Sequence, residues 1–159
     1  MRKSMIYEFA LFSQSSPVKP ARPPRATLRR VIHTKLQTYT ADSLTLNISG
    51  GDFQVKESTS PWSGSNLHEL YSKAYTPWEW HQPIFEYAKK LGIGAFSSAF
   101  DTTAVEFLES IGTPAYKVAS FESSDVRLLE TIARTGKPVV LSCGMALLSE
   151  IRRAVSTLR

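Results

Sequence analysis

With 159 residues, 42% hydrophobic, 21% charged and 11% aromatic content, 8 Gly and 9 Pro, the chain has the composition of one globular domain and not of a disordered, collagenous or coiled-coil polypeptide. No apolar run approaches the roughly 20 residues that cross a bilayer, so no membrane partner is expected. The single Cys143 cannot form an internal disulfide, which fits a reducing, cytoplasmic setting.

The net charge of +5 is unevenly placed. Residues 1–34 hold seven Lys/Arg against Glu8 alone, a net +6, so residues 35–159 carry −1. The basic character belongs to the leader, and a nucleic-acid partner for the body is not expected. A small nucleic-acid binder using the leader alone is a third option, whose affinity salt would abolish. The leader interleaves Pro17, Pro20, Pro23 and Pro24 with Ser and Arg, which prevents a continuous helix and supplies no strand donors. Its first apolar stretch is broken by Glu8 and lacks a clear signal-peptide cleavage site. Residues 1–34 read as a disordered or non-native leader, and residues 35–159 as the folded unit.

From Lys35 the texture changes. KLQTYT reads as a strand, and the Gly-, Ser- and Thr-rich stretch that follows, to about Ser65, reads as an excursion from the core. LHELYSKAY is a helix capped by Asn66 or Ser65. TPWEWHQPIFEYAKKLG is a helix with Thr76 as cap, Pro77 first, and a kink or break at Pro83. IGAF at Ile93–Phe96 is a strand ending in Ser97 and Ser98. Asp101 caps a helix that Gly112 ends. A strand from about Ala115 to Ser120 leads to a helix closed by Gly136, with Val126, Leu128, Leu129, Ile132 and Ala133 inward. PVVLSCGM is the last strand. The last helix places Leu148, Ile151, Val155 and Leu158 on one face. Strand starts near residues 93, 115 and 138 make a regular βα repeat, hence α/β with a parallel sheet.

Ligands of parallel α/β folds meet the C-terminal strand ends. Those ends carry Lys35 and Gln37, Ser97 and Ser98, Lys117, Ser120 and Glu122, then Ser142 and Gly144. A lysine within a sheet is costly to desolvate unless an anion pairs with it. Two lysines with hydroxyls and a glycine backbone therefore suit a phosphate and a carboxylate. Equally, either lysine can snorkel outward between helices, and Lys117 can serve as a Schiff-base amine. His33, His68 and His81 lack metal-ligand spacing and read as surface or packing residues. Cys143 reads as an inert thiol, and Asp42 and Glu57 as solvated. The turn Ser49–Gly51 is no phosphate loop, since no Gly-Lys-Ser/Thr follows.

The blocks KLQTYTADSLTL, LHELYSKAYTPWEWH, AFSSAFD, PAYKVASFE and GKPVVLSCGMA, in that order over residues 35–159, resemble the sialic acid synthase family. Through TYTADSLTL and AYTPWEWH they are most similar to its pseudaminic acid synthase branch, with N-acetylneuraminate synthase the alternative. The resemblance implies a TIM (β/α)8 barrel of which this chain is a part, about four βα units. A (β/α)8 barrel takes about 250 residues. It also implies an antifreeze-like C-terminal domain, absent here, and a homodimer in the intact family. The implied reaction condenses phosphoenolpyruvate with an N-acetylated aldose, giving a nine-carbon 2-keto sugar acid and phosphate. A divalent metal, Mn²⁺ or Mg²⁺, would assist, with ligands that lie beyond Arg159.

Position by position, the resemblance gives Lys35, Ser98, Lys117, Ser120, Ser142 and Gly144 to phosphoenolpyruvate. It gives Gln37, Glu122 and Asn66 to the sugar. Ala99 stands where the family usually has Pro, and Cys143 where Thr is usual. The leader occupies the place of the family's first strand and its NHNG-type loop. A part-barrel leaves open strand edges. The isolated chain is therefore expected to be inactive, as a truncated, non-catalytic product or as a subunit holding half a site.

Overall fold

The computed structural model describes residues 33–56 and 58–159. The expected leader, up to residue 32, and Glu57 lie outside them. Four strands form one parallel sheet: β1 (His33–Thr38), β2 (Gly94–Ala99), β3 (Tyr116–Val118) and β4 (Val139–Leu141). Their order in the sheet is their order in the chain. A doubly wound fold reverses strand order at a switch point, whereas a barrel proceeds around in sequence. The order here is that of a TIM barrel, and the chain is four βα units of one.

Among the described residues six helices accompany the sheet: α1 (Ala41–Leu44), α2 (Leu67–Ala74), α3 (His81–Lys90), α4 (Thr102–Ser110), α5 (Val126–Thr135) and α6 (Leu148–Thr157). Capping explains their limits. Asp101 accepts from the Ala104 amide at 2.7 Å to open α4, and Asp125 accepts from Leu128 at 3.0 Å to open α5. At the end of α4 the Thr113 amide reaches Leu108 O and the Gly112 amide reaches Glu109 O, a pairing that needs the left-handed φ of 72° at Gly112. Gly136 closes α5 with φ 69°. Asn66, not Ser65, caps α2: its Oδ1 accepts from the Glu69 amide at 2.7 Å.

Several expectations are corrected. β1 starts at His33, so His33 and Thr34 belong to the sheet and not to the leader. β2 runs to Ala99, which puts Ser97 and Ser98 inside the strand. Thr76 caps nothing; Pro77 precedes a short 3-10 turn, Trp78–Trp80, and α3 begins afresh at His81. Pro83 causes no break, because it lies in the first turn of α3, where its missing amide has no partner to lose. On α6 the buried residue is Ala154, with Leu158 buried just past its end, while Leu148 is exposed at the helix start. The excursion contains α1, a 3-10 turn at Gly51–Phe53 and an antiparallel bridge between Gln54 and Asn66.

The core lies on one side of the sheet. Ala99, Tyr116, Val118, Val139 and Leu141 point into a layer with Ala104, Val105 and Leu108 of α4, Leu128, Leu129 and Ile132 of α5, Ala154 of α6 and Leu158 just past it. Because strand side chains alternate, the residues between them form the opposite, open face. Among the described residues, no helix is long and apolar enough to cross a membrane.

Candidate functional site

The open face is a polar row made by strand register. Gln37 pairs with Ser98, Ser98 with Lys117, and Lys117 with Val140, so four strands present these residues side by side. Two residues earlier on the same face stand Lys35 beside Phe96, and before them His33 beside Gly94. The His33 ring packs edge-on against Phe96 at 6.0 Å. Two residues after Val140, Ser142 continues the face of β4. A slip of one residue in any strand would exchange this row for the apolar one behind it.

The lysines occupy different environments. Both belong to the open face, so neither snorkels between helices. Lys35 is exposed, and the expectation of a desolvated lysine fails there, whereas Lys117 is partly buried in mid-row. Lys117 lies near Glu122, and its charge acts on that carboxyl. Burial pushes the Glu122 carboxyl above its usual value, and the Lys117 charge only partly offsets this. Ser98 is 1% exposed. Its Oγ and Glu122 Oε2 are buried without a hydrogen-bond partner. Buried polar atoms are usually paired, so two such oxygens flanking one lysine mark a place prepared for a polar ligand.

The upper ends of β3 and β4 meet at Ser120 and Gly144. A Cβ on Gly144 would sit 3.1 Å from Ser120 Oγ, so only glycine leaves this approach unforced. Ser120 begins the 3-10 turn Phe121–Ser124, which carries Glu122. The Ser142 amide donates to Val118 O at 3.0 Å, tying the two strand ends together. Ser120, Ser123, Gly144 and Glu150 line an open hollow of about 160 Å³.

The structure thus gathers Lys35, Gln37, Ser98, Lys117 and Ser142 on one face, with Ser120, Glu122 and Gly144 at its upper rim. It does not bring Asn66 into the row, because that side chain caps α2. Ser97 faces the other way, into the helix layer. Cys143 is partly buried, donates weakly to Leu141 O and has its thiol pushed up by burial. His68 pairs with Asp42 at 2.8 Å. Among the described residues, no three His, Cys, Asp or Glu side chains lie close enough to hold a metal ion. A metal does not fit the residues present.

Sequence reasoning missed the group behind the row. Thr38, Ser97 and His81, all fully buried, form a hydrogen-bonded chain on the covered side. Alternation separates Thr38 and Ser97 from Gln37 and Ser98 in the sequence, but which set faces the helices comes from the register.

Comparison with known proteins places the family and the fold. The NeuB family model matches residues 26–159. A pseudaminic acid synthase of Helicobacter pylori is 49% identical over 125 residues, covering 79% of this chain and 36% of that protein. A pseudaminic acid synthase of Campylobacter jejuni serotype O:2 is 47% identical over 117 residues, covering 74% and 34%. The N-acetylneuraminic acid synthetase of Leptospira borgpetersenii, crystallised with citrate, superposes with a TM-score of 0.64 at 28% identity, covering 79% of this chain and 39% of that one. The chain spans about a third of the length of the curated relatives it matches.

Proposed function

The chain belongs to the NeuB family, and from that premise we propose that its open sheet face is the phosphoenolpyruvate-binding part of a pseudaminic acid synthase site. The observation that carries the reading is the Gln37–Ser98–Lys117 row with its two unpartnered buried oxygens, Ser98 Oγ and Glu122 Oε2. The relatives named pseudaminic acid synthase, at 49% and 47% identity, support this branch over an N-acetylneuraminate synthase.

In this reading Lys117 and Lys35 supply positive charge to the phosphate and carboxylate. Ser98, Ser120 and Ser142 donate hydroxyl hydrogen bonds, and the Gly144 backbone approaches closely because no side chain intervenes. Gln37 and Glu122 face the acceptor, an N-acetylated aldose, with Asn66 further off on the excursion. C3 of phosphoenolpyruvate forms a bond to the aldehyde carbon of the acceptor. Water then adds at C2, and inorganic phosphate leaves with cleavage of its C–O bond, giving a nine-carbon 2-keto sugar acid. Negative charge is concentrated on the phosphate and carboxylate throughout, so fixed cations and hydroxyl dipoles hold and orient phosphoenolpyruvate for the attack without a protein nucleophile. The divalent metal expected of the family finds no ligand set among the described residues, and no step here is assigned to it. Turnover by these residues alone is therefore not expected, whereas anion binding is.

Calorimetric titration of the chain with phosphoenolpyruvate tests the proposal. Saturable binding that weakens as salt is raised and is lost in Lys117→Ala supports it. Binding unchanged by Lys117→Ala, or no binding at all, rejects it.

A further inference from the structure

Resting on that reading, we propose that His81 is a positioning residue, which through Thr38 and Ser97 holds the Gln37–Ser98 pair of the open face in place. Thr38 and Ser97 lie diagonally across the β1–β2 pair on the covered face, directly behind Gln37 and Ser98. Their hydroxyl oxygens are 2.7 Å apart, and His81 Nε2 is 2.8 Å from Thr38 Oγ1. His81 Nδ1 lies 3.3 Å from the Pro77 carbonyl oxygen. Backbone groups of Pro77, Trp78 and Gln37 all hydrogen-bond the ring, so either ring nitrogen has an acceptor for its hydrogen. The Ser97 hydroxyl also lies 3.4 Å from Ser98 O, so the chain closes in either direction, from Ser97 through Thr38 to His81 or from His81 through Thr38 to Ser97 and on to Ser98 O.

All three side chains are fully buried. The equivalent layer behind β3 and β4 is Tyr116, Val118, Val139 and Leu141, with one hydroxyl, which reaches Glu109. Hydrophobic packing therefore suffices to seat a strand in this layer, and a polar chain behind β1–β2 needs another reason. Apolar side chains tolerate small slides against one another, whereas a hydrogen-bonded chain fixes distance and direction. The same end of β1 is gripped a second time, since Trp78 Nε1 donates to Tyr39 O at 3.1 Å. Both grips come from one short segment, Trp78–His81. Successive residues of a strand move together, so fixing Thr38 and Ser97 fixes Gln37 and Ser98.

The test uses the whole chain unaltered and as Thr38→Val, Thr38→Ser, His81→Gln and Ser97→Ala. Phosphoenolpyruvate affinity is measured on samples shown to be folded, together with the amide NMR shifts of Gln37 and Ser98. Thr38→Val keeps shape but removes the central hydroxyl. We expect it to move both amides and to weaken binding about tenfold or more, the scale on which small misplacements act. Thr38→Ser keeps the hydroxyl, and His81→Gln keeps a neutral hydrogen-bonding group, so both retain wild-type affinity. Lower stability in Thr38→Val with unchanged affinity and unchanged amides overturns the proposal, because that is what a merely structural role gives. If Thr38→Val does not fold, Ser97→Ala decides on the same criteria. If the unaltered chain binds no phosphoenolpyruvate, the functional reading fails. The amides then decide the positioning role alone: movement in Thr38→Val but not in Thr38→Ser sustains it, and no movement overturns it.

Discussion

The covered and open faces of the sheet are made from alternate residues of the same strands, and they serve opposite ends. On the covered face almost every side chain is satisfied: Leu108 and Ile132 by packing, Tyr116 by Glu109, Thr38 by His81. On the open face the row is left wanting, with Ser98 Oγ and Glu122 Oε2 buried and unpartnered. A domain spends stability where it binds and recovers it where it packs. The contrast gives a direct expectation, that substitutions among the apolar residues of the covered face, away from Thr38, Ser97 and His81, change folding while those on the open face change binding.

The largest effect on folding belongs to Leu108→Ala. Leu108 is fully buried between the sheet and α5, so its truncation is expected to lower unfolding free energy by about 3 kcal/mol in urea titration. Affinity for phosphoenolpyruvate, measured on the folded fraction, should not move. A large loss of affinity in this variant would break the separation of the faces. Lys117→Ala is the mirror case. Its affinity should fall by about tenfold to a hundredfold while its urea midpoint stays near that of the parent chain. A collapse of stability with it would make Lys117 part of the packing.

Tyr116→Phe sharpens the comparison on a smaller scale. The hydroxyl donates to Glu109 Oε1 at 2.6 Å, and Lys137 pairs with the same oxygen. Burial and the Glu109 carboxylate push the phenol far above its usual range, so it stays a donor at every pH of interest. Removing it should cost about 1 kcal/mol, the net worth of one such bond, with no change in binding. Differential scanning calorimetry reads the shift, and an unchanged melting temperature would show that Lys137 alone holds Glu109.

Much of this was legible in the sequence, and the failures have common causes. The caps Asp101 and Asn66 and the stops Gly112 and Gly136 could be read because each acts on its own helix. The βα repeat was readable because its period is local. What depended on strand phase was not. Ser97 and Ser98 look alike in the chain, and only the register with Gln37 and Lys117 says which one faces the row. Likewise His81 reads as ordinary until Thr38 and Ser97 are brought to it from elements far off in the chain. Asn66 also caps its own helix through its side-chain oxygen. Lys35 illustrates the limit of burial arguments made from sequence, since an apolar stretch need not bury each of its members.

The smallest effect separates the faces by sign. Glu122 has its carboxyl raised above the ordinary 4.5 by burial, so the folded chain holds this proton more tightly than the unfolded chain does. Its contribution to stability is fully present below pH 4.5 and is lost as pH rises through the folded value. At neutral pH the carboxylate therefore opposes folding, the reverse of a helix-capping carboxylate. At Asp101 burial pushes upward, but hydrogen bonds from Thr103, Ala104 and Ser43 outweigh it and hold that group low. Glu122→Gln should then raise the urea midpoint slightly at pH 7 and leave it unchanged well below pH 4.5, with the difference appearing between them. Asp101→Asn should do the opposite, lowering stability at pH 7 and losing that effect as acid protonates the parent's Asp101. If Glu122→Gln destabilised the chain at neutral pH, the carboxylate would be a structural partner of Lys117. The open face would then be as self-satisfied as the covered one, and the case for a ligand there would go with it.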